Sequence, residues 1–293
     1  MKKTLPLLFF AFISLFSCTS PPKEIAEAYF SLGNSYYNDG DYEQAIEYYK
    51  KAEKYKSNTE RLYYNLAMAY IHTQQYQEAE KLLKQLEEKD KNNIKVLSVL
   101  GYLEASKKNY EKAEEYYIKA IEISPYDEKL YHNMAVFLAE QGREKKALEY
   151  SEKAYTIKQD EKKIKVLYAY LNLKNNPDDT DALMLAEEAA RADQSNTKLL
   201  FLLVYTYEKK EKYADAVSLL NIIIATDKEN REALFDRARM HLLYTGETKQ
   251  GLEDLKSAME KGYDNQKKIQ QLLNSPLLLA KKEAEEILSS ASK

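Results

Sequence analysis

The chain has 293 residues, 44% of them hydrophobic and 31% charged, with 44 Lys and Arg against 47 Asp and Glu for a formal charge of −3. That length allows one large domain or two ordinary ones, and the near-balanced charge argues against a nucleic-acid partner, which asks for a basic face. A single cysteine excludes a disulfide within the chain, and only 7 Gly and 6 Pro leave few turn residues for a sheet protein, so the composition favours helices.

Met1, Lys2 and Lys3 open the chain, followed by the uncharged run "TLPLLFFAFISLF" from Thr4 to Phe16 and by the small residue Ser17. A basic start, a short apolar run and a small residue form a secretory signal. The run is shorter than the roughly twenty residues that span a bilayer as a helix, and no other segment is apolar enough to do so. Cys18 follows directly, and "TSPPK" after it favours an extended linker. "Leu15-Phe16-Ser17-Cys18" resembles the lipobox of bacterial lipoproteins. The resemblance implies a signal peptide over 1–17, a diacylglycerol on the Cys18 thiol and a lipidated tether over 18–25. Each buried methylene of such an anchor contributes about 0.8 kcal/mol. Loss of Lys2 and Lys3 with the signal removes two positive charges and takes −3 to −5. Thr19 after the cysteine implies, by the same resemblance, the outer membrane rather than the inner.

From residue 26 onward the chain repeats itself. Gly33, Ala67, Gly101, Ala135 and Ala169 are spaced by 34, Val204 comes after 35 and Ala238 after another 34. A second ladder runs Ala45, Ala79, Ala113, Ala147, Ala182, Ala216 and Gly251; a third runs Ala52, Leu86, Ala120, Ala154, Ala189, Ile223 and Ala258. Three ladders in step over seven repeats predict seven helix pairs, each small residue letting its partner helix approach closely. Leu32, Leu66, Leu100, Met134 and Leu203 precede the small residue and are expected to fill the space between helices. Turns are expected at Asn38–Asp41 and Glu140–Arg143. Each pair exposes an apolar face that only the next pair can cover.

These ladders resemble the tetratricopeptide repeat family, most fully in Tyr29, Leu32, Gly33, Tyr36, Tyr42, Ala45, Tyr49 and Ala52, with Pro125 closing the third repeat. The resemblance covers about residues 26–261. It implies an all-α fold, a right-handed α-solenoid of about seven helix pairs, with much of the excess of 26 Tyr in the core. Repeat five departs from the pattern with Tyr168 at the leucine place and a turn longer by one residue, "NNPDDTD", where a four-repeat and a three-repeat block are expected to meet, with a bend near 172–181. Its acidic residues read as a solvated turn, since a calcium loop needs alternating ligands, a central Gly and a distal Glu. Repeat seven carries Arg237 at the leucine place. Residues 262–293 read as two capping helices, the second opened by Ser275 as cap and Pro276 as first residue.

No phosphate loop, zinc-protease motif, nucleophile elbow or paired cysteines occur. His72, His132 and His241 lie in different repeats, which argues against a shared metal. The expectation is therefore no enzyme, no cofactor and no metal. In the family the first helix of each pair lines the inner surface, and that register selects Phe30, Asn34 and Tyr37; Arg61, Tyr64, Asn65, Met68 and His72; Lys95 and Tyr102; and Lys129, His132 and Asn133. Phe201, Tyr205, Phe235 and Arg239 follow later. Amides bond a peptide backbone and rings stack on its side chains. Asn34, Asn65 and Lys95 stand at three of the five places of a family carboxylate clamp, while Phe30 and Val99 stand where two cations belong. The combined expectation is a membrane-tethered adaptor of the bacterial cell envelope that binds peptides or helices of other envelope proteins. The alternative is a structural subunit of an envelope assembly or secretion complex.

Overall fold

The computed structural model describes residues 22–55 and 59–290, which form helices without any strand. The signal segment, Cys18 and the first part of the expected tether lie outside the described residues. Two compact units divide after Pro125. The first holds α1 (Pro22–Asn38), α2 (Tyr42–Lys54), α3 (Thr59–His72), α4 (Tyr76–Lys89), α5 (Ile94–Ser106) and α6 (Tyr110–Ile123). The second holds α7 (Glu128–Glu140), α8 (Glu144–Ile157), α9 (Lys162–Asn175), α10 (Thr180–Ala192), α11 (Thr197–Lys209), α12 (Tyr213–Thr226), α13 (Arg231–Met240), α14 (Thr248–Glu260), α15 (Gln266–Leu273) and α16 (Lys281–Ser290). None of these helices is long and apolar enough to cross a membrane. Pro22 and Lys23, expected in the extended tether, already belong to α1; a proline is compatible with the first helical turn, where its missing N–H costs nothing.

Within each pair the packing is set by complementary sizes at one crossing. A Cβ added to Gly33 would lie 2.5 Å from the ring of Tyr49, which is wholly buried, and one added to Gly101 would lie 3.0 Å from Tyr117. The same register puts Leu83 opposite Ala67, Ser151 opposite Ala135 and Leu220 opposite Val204, each of them buried. Where the first helix gives up its side chain, the second supplies a ring; where it keeps a methyl group, the second is smaller. The second and third ladders are buried throughout. Leu66, Leu100, Met134 and Leu203 fill the interhelical space as expected, whereas Leu32 is 44% exposed. It sits on the first described helix, and no described helix pair covers that face.

Caps and turns follow local chemistry. Asp41, Asn93, Asp127, Asp179, Asn196, Asn230 and Asn265 each accept a backbone N–H from the first turn of the helix they precede, which satisfies donors the helix leaves unpaired. The two helices of a pair are joined by a tight turn whose last-but-one residue is left-handed in five repeats: Gly40 at φ 81° and Gly142 at φ 69°, but Gln74, Lys108 and Glu211 at 58–65° in the equivalent places. The turn at 176–179 is longer, as the sequence indicates, and carries the Asp179 cap. It lies inside the second unit with α9 and α10 packed together; the division between units falls instead after Pro125, at the end of the third repeat.

Departures from the leucine pattern are met by specific partners. Tyr168 stacks on Tyr155 with ring centroids 4.9 Å apart. Arg237 holds Asp254 through two hydrogen bonds of 2.7 and 2.8 Å and donates to Asn221 as well. Glu104, almost wholly buried, accepts from Asn109, Lys107 and Lys112, and these donors hold its carboxyl below the ordinary range against the opposing effect of burial.

The tail corrects one expectation. Its second helix begins at Lys281, not at Pro276: residues 275–280 turn instead, Ala280 is left-handed at φ 50°, and the Leu279 N–H donates to the Leu242 carbonyl 3.0 Å away. Leu278 packs into the terminal core beside Leu242, Leu255 and Leu288, and a helix from Pro276 would give up that turn. Helices α15 and α16 therefore form a shortened eighth pair. Its seal is ionic. Lys268 on α15 donates to Glu232 at 2.5 Å and to both oxygens of the wholly buried Asp236 at 3.0 Å. Arg239 lies 3.5 Å from Asp236 on the other side, yet burial outweighs both cations and pushes the Asp236 carboxyl up. Removing one partner of a buried pair leaves the other uncompensated. Lys268→Met should therefore cost the full chain about 3 kcal/mol in urea unfolding followed by helicity, the lower end of that range because Arg239 remains. The double change Asp236→Asn with Lys268→Met should recover most of the loss; a Lys268→Met chain as stable as the parent would show that the ion pair does not hold the cap.

Candidate functional site

The first helix of each pair carries the side chains that packing within the pair leaves over, and the two units present them separately. In the first unit, Phe30 on α1 is buried beneath the Arg61 guanidinium, which sits 4.8 Å above its ring. Asn34 is engaged from two sides: its Oδ1 accepts from the Tyr49 hydroxyl at 2.8 Å and from the Asn65 amide at 2.7 Å. Burial pushes the Tyr49 hydroxyl up to about 12, so it stays a donor. One turn further along, His72 stacks face to face on Tyr42 at 4.3 Å, its Nε2 lies 3.1 Å from the Tyr37 hydroxyl, and Tyr102 on α5 stands 6.0 Å away. Tyr64, Asn65, Met68 and Tyr102 are half-buried, while Arg61 and Lys95 are exposed.

The expected groove residues of the first unit thus split into two kinds. Phe30, Asn34, Asn65 and the Tyr37–Tyr42–His72 cluster join neighbouring repeats, and the acceptor of Asn34 that a peptide amide would seek is already filled. The clamp expectation changes accordingly: Asn34 and Asn65 bond each other. Arg61 and Lys95 remain accessible. What single-residue register could not show was that two amides on successive helices would meet.

In the second unit, α7, α9 and the α10–α11 turn enclose a cleft of about 400 Å³ with an apolar floor of Val136, Val166, Leu167 and Tyr170. His132 lines the cleft and is half-buried, as is Asn133 next to it in sequence, which does not line it. The Nδ1 of His132 is buried without a hydrogen-bond partner, and burial, with the nearby Lys163 ammonium, holds its ring below the ordinary 6.5. One end of the cleft is closed by the Lys174–Glu144 pair at 2.6 Å. The other end is rimmed by Lys163 and Lys198, both exposed and without an ion-pair partner among the described residues.

The two rim lysines were legible as part of a fourth ladder that the groove register only touched. Arg61, Lys95, Lys129, Lys163 and Lys198 recur at spacings of 34, 34, 34 and 35. Each stands in the first turn of its helix, where the positive end of the macrodipole disfavours a cation by roughly 0.3–1 kcal/mol. The ladder ends at Glu232 in the seventh repeat, where Lys268 neutralises the acid from within the chain. No group of three or more metal-ligating side chains occurs among the described residues.

A family model described as tetratricopeptide repeat protein 21 N-terminal ARM repeat matches residues 36–245. Among solved structures, PilW, a widely conserved type IV pilus biogenesis factor, superposes with a TM-score of 0.56 at 17% identity, covering 79% of this chain and 99% of its own. A tetratricopeptide repeat protein from Parabacteroides merdae ATCC 43184 gives 0.53 at 16% identity, covering 92% of this chain and all of its own. YrrB, a tetratricopeptide repeat protein with an unusual peptide-binding site, gives 0.52 at 17% identity over 63% of this chain and 94% of its own. No curated protein matches the sequence. Likeness at such identities shows the fold, which is that of a tetratricopeptide-like repeat protein.

His72 and His132 give this surface a pH signature. Burial holds both below 6.5 in the folded chain, so on acidification the unfolded chain takes up protons that the folded one refuses. Stability is present above about pH 6.5 and falls as the pH drops through the lowered values. The melting temperature should fall between pH 7 and pH 5.5, and the slope should flatten in His72→Gln/His132→Gln; an unchanged slope in that variant would assign the loss to other groups.

Proposed function

We propose a protein-binding function on the premise that this chain belongs to the helical-repeat family described as tetratricopeptide repeat protein 21 N-terminal ARM repeat. The chain is a non-catalytic adaptor that holds a segment of another protein on the first helices of its pairs. The observation that carries this reading is the open cleft of the second unit. An apolar floor there meets an unpartnered imidazole nitrogen and free charges at the rim, a mixture suited to a peptide's side chains and backbone. The peptide-binding site of YrrB, on the same fold, supports this reading, as does the part of PilW in pilus biogenesis. The lipobox-like Leu15–Cys18 would tether the adaptor to a membrane of the bacterial envelope, the outer membrane by the same resemblance at Thr19, and its partners would be other envelope proteins.

Two experiments test this. A photo-crosslinking amino acid placed at Val136 or Leu167 in intact cells should capture a partner polypeptide, while the same residue at Glu149, exposed on α8, should capture none. Capture from Glu149 alone would favour the alternative, a structural subunit packed through its outer helices. For the anchor, Cys18→Ala should abolish labelling by radioactive palmitate and move the full chain from the detergent phase to the aqueous phase. Label retained in that variant would remove the lipid anchor.

A further inference from the structure

A row of lysines runs along the second unit and reaches the rim of the cleft. Lys129, Lys163 and Lys198 stand in the first turns of α7, α9 and α11, exposed, with no carboxylate paired to any of them among the described residues. The other lysines of α9 are spent on neighbours: Lys162 on Asp193, Lys165 on Glu188 and Lys174 on Glu144. The three free cations also sit against the positive ends of their own helices, so folding gains nothing from them there, and an incoming anion meets the side-chain charge and the helix terminus together.

We infer that the second unit binds an extended, internal acidic segment of a partner protein, with its carboxylates on Lys163 and Lys198 and an aliphatic side chain between them on the floor of Val136, Leu167 and Tyr170. The inference rests on the adaptor reading and names the chemistry of its partner. Spacing sharpens it. Packed helices lie roughly 8–10 Å apart, and a chain in the polyproline-II conformation advances about 3.1 Å per residue with three residues per turn, so that residues i and i+3 face the same way. Successive lysines are therefore met by acids about three residues apart, Asp/Glu-x-x-Asp/Glu with Leu, Ile or Val between. Nucleic acid fits less well, since its phosphates have no use for the apolar floor. The Lys174–Glu144 pair closes the far end, so the segment's acids are directed to the lysine end.

The test is selection of a phage-displayed random dodecapeptide library on the full chain, followed by fluorescence polarisation with the best sequence made as an N-acetylated, C-terminally amidated peptide. The expected winners carry two acids three residues apart around an aliphatic residue. Their affinity should fall at least tenfold in Lys163→Glu/Lys198→Glu, fall with salt between 50 and 300 mM, and return when the acids of the peptide are exchanged for lysines against that variant. Neutral or basic winners that still bind the charge-reversed chain would overturn this inference and leave the adaptor reading standing. Binding that requires a free C-terminal carboxylate, or that oligo-dT displaces at equal concentration, would overturn it in favour of those ligands. A library that yields no binder would overturn both.

Discussion

A helix pair closes only if the room left by one residue at the crossing is taken by the residue opposite. In the first repeat that residue is a tyrosine ring pressed onto a bare glycine backbone, with 2.5 Å between the ring and the place where a Cβ would stand. Interiors are packed to the density of organic crystals, so a ring fits at that crossing only where the facing residue has no side chain. Glycine faces tyrosine in the first and third repeats, while crossings that carry Ala with Leu, Ala with Ser or Val with Leu pack side chain on side chain and keep the same pair. Pair geometry then sets everything exposed: with the second helix held close, the first helix turns one face to its partner and leaves the other for a ligand.

Stacking of successive pairs is handled by polar contacts as well as apolar ones. In the first unit Asn34 gathers the hydroxyl of its own repeat and the amide of the next, while His72 bridges Tyr42, Tyr37 and Tyr102. Such contacts fix register, because a half-satisfied buried amide or imidazole costs more than an apolar pair that slides. The same logic governs the seventh repeat, where Arg237 replaces the usual leucine and is answered by Asp254 and Asn221. The chain ends its stack with the apolar faces of α15 and α16 and with a lysine clamped between two acids, which together cover the terminal face and neutralise the acid that stands at the ladder position in the seventh repeat.

The functional surface follows from what this arrangement leaves unsatisfied. In the first unit most aromatic and amide groups are consumed between repeats. In the second, Val136 on α7 with Leu167 and Tyr170 on α9 form an open apolar floor, and Lys163 and Lys198 at its rim lack ion-pair partners among the described residues. Binding capacity therefore lies where packing stops short, and the first-turn cations bias it toward acidic chains.

Much of this could be read without coordinates. Glycine and alanine at intervals of 34 demand close helix approach, so seven pairs, their turns and most of their core followed from local spacing alone, as did the helical cap near the end. Individual departures were equally visible as residue types, Arg237 at a leucine place or an added turn residue before Asp181. Their consequences were not, because they depend on groups far apart in sequence. Asn34 and Asn65 read as two free amides until the fold brings one onto the other; Ser275-Pro276 reads as a helix start until Leu279 is drawn to the Leu242 carbonyl; Lys268 is one surface lysine among many until Asp236 is found buried beneath it. Sequence determined which helices form and how they repeat, since those rest on periodicity within a single repeat. Only the tertiary structure decided which polar side chains are spent on neighbours and which remain for a partner, since desolvation and hydrogen bonding belong to the environment that several repeats make together.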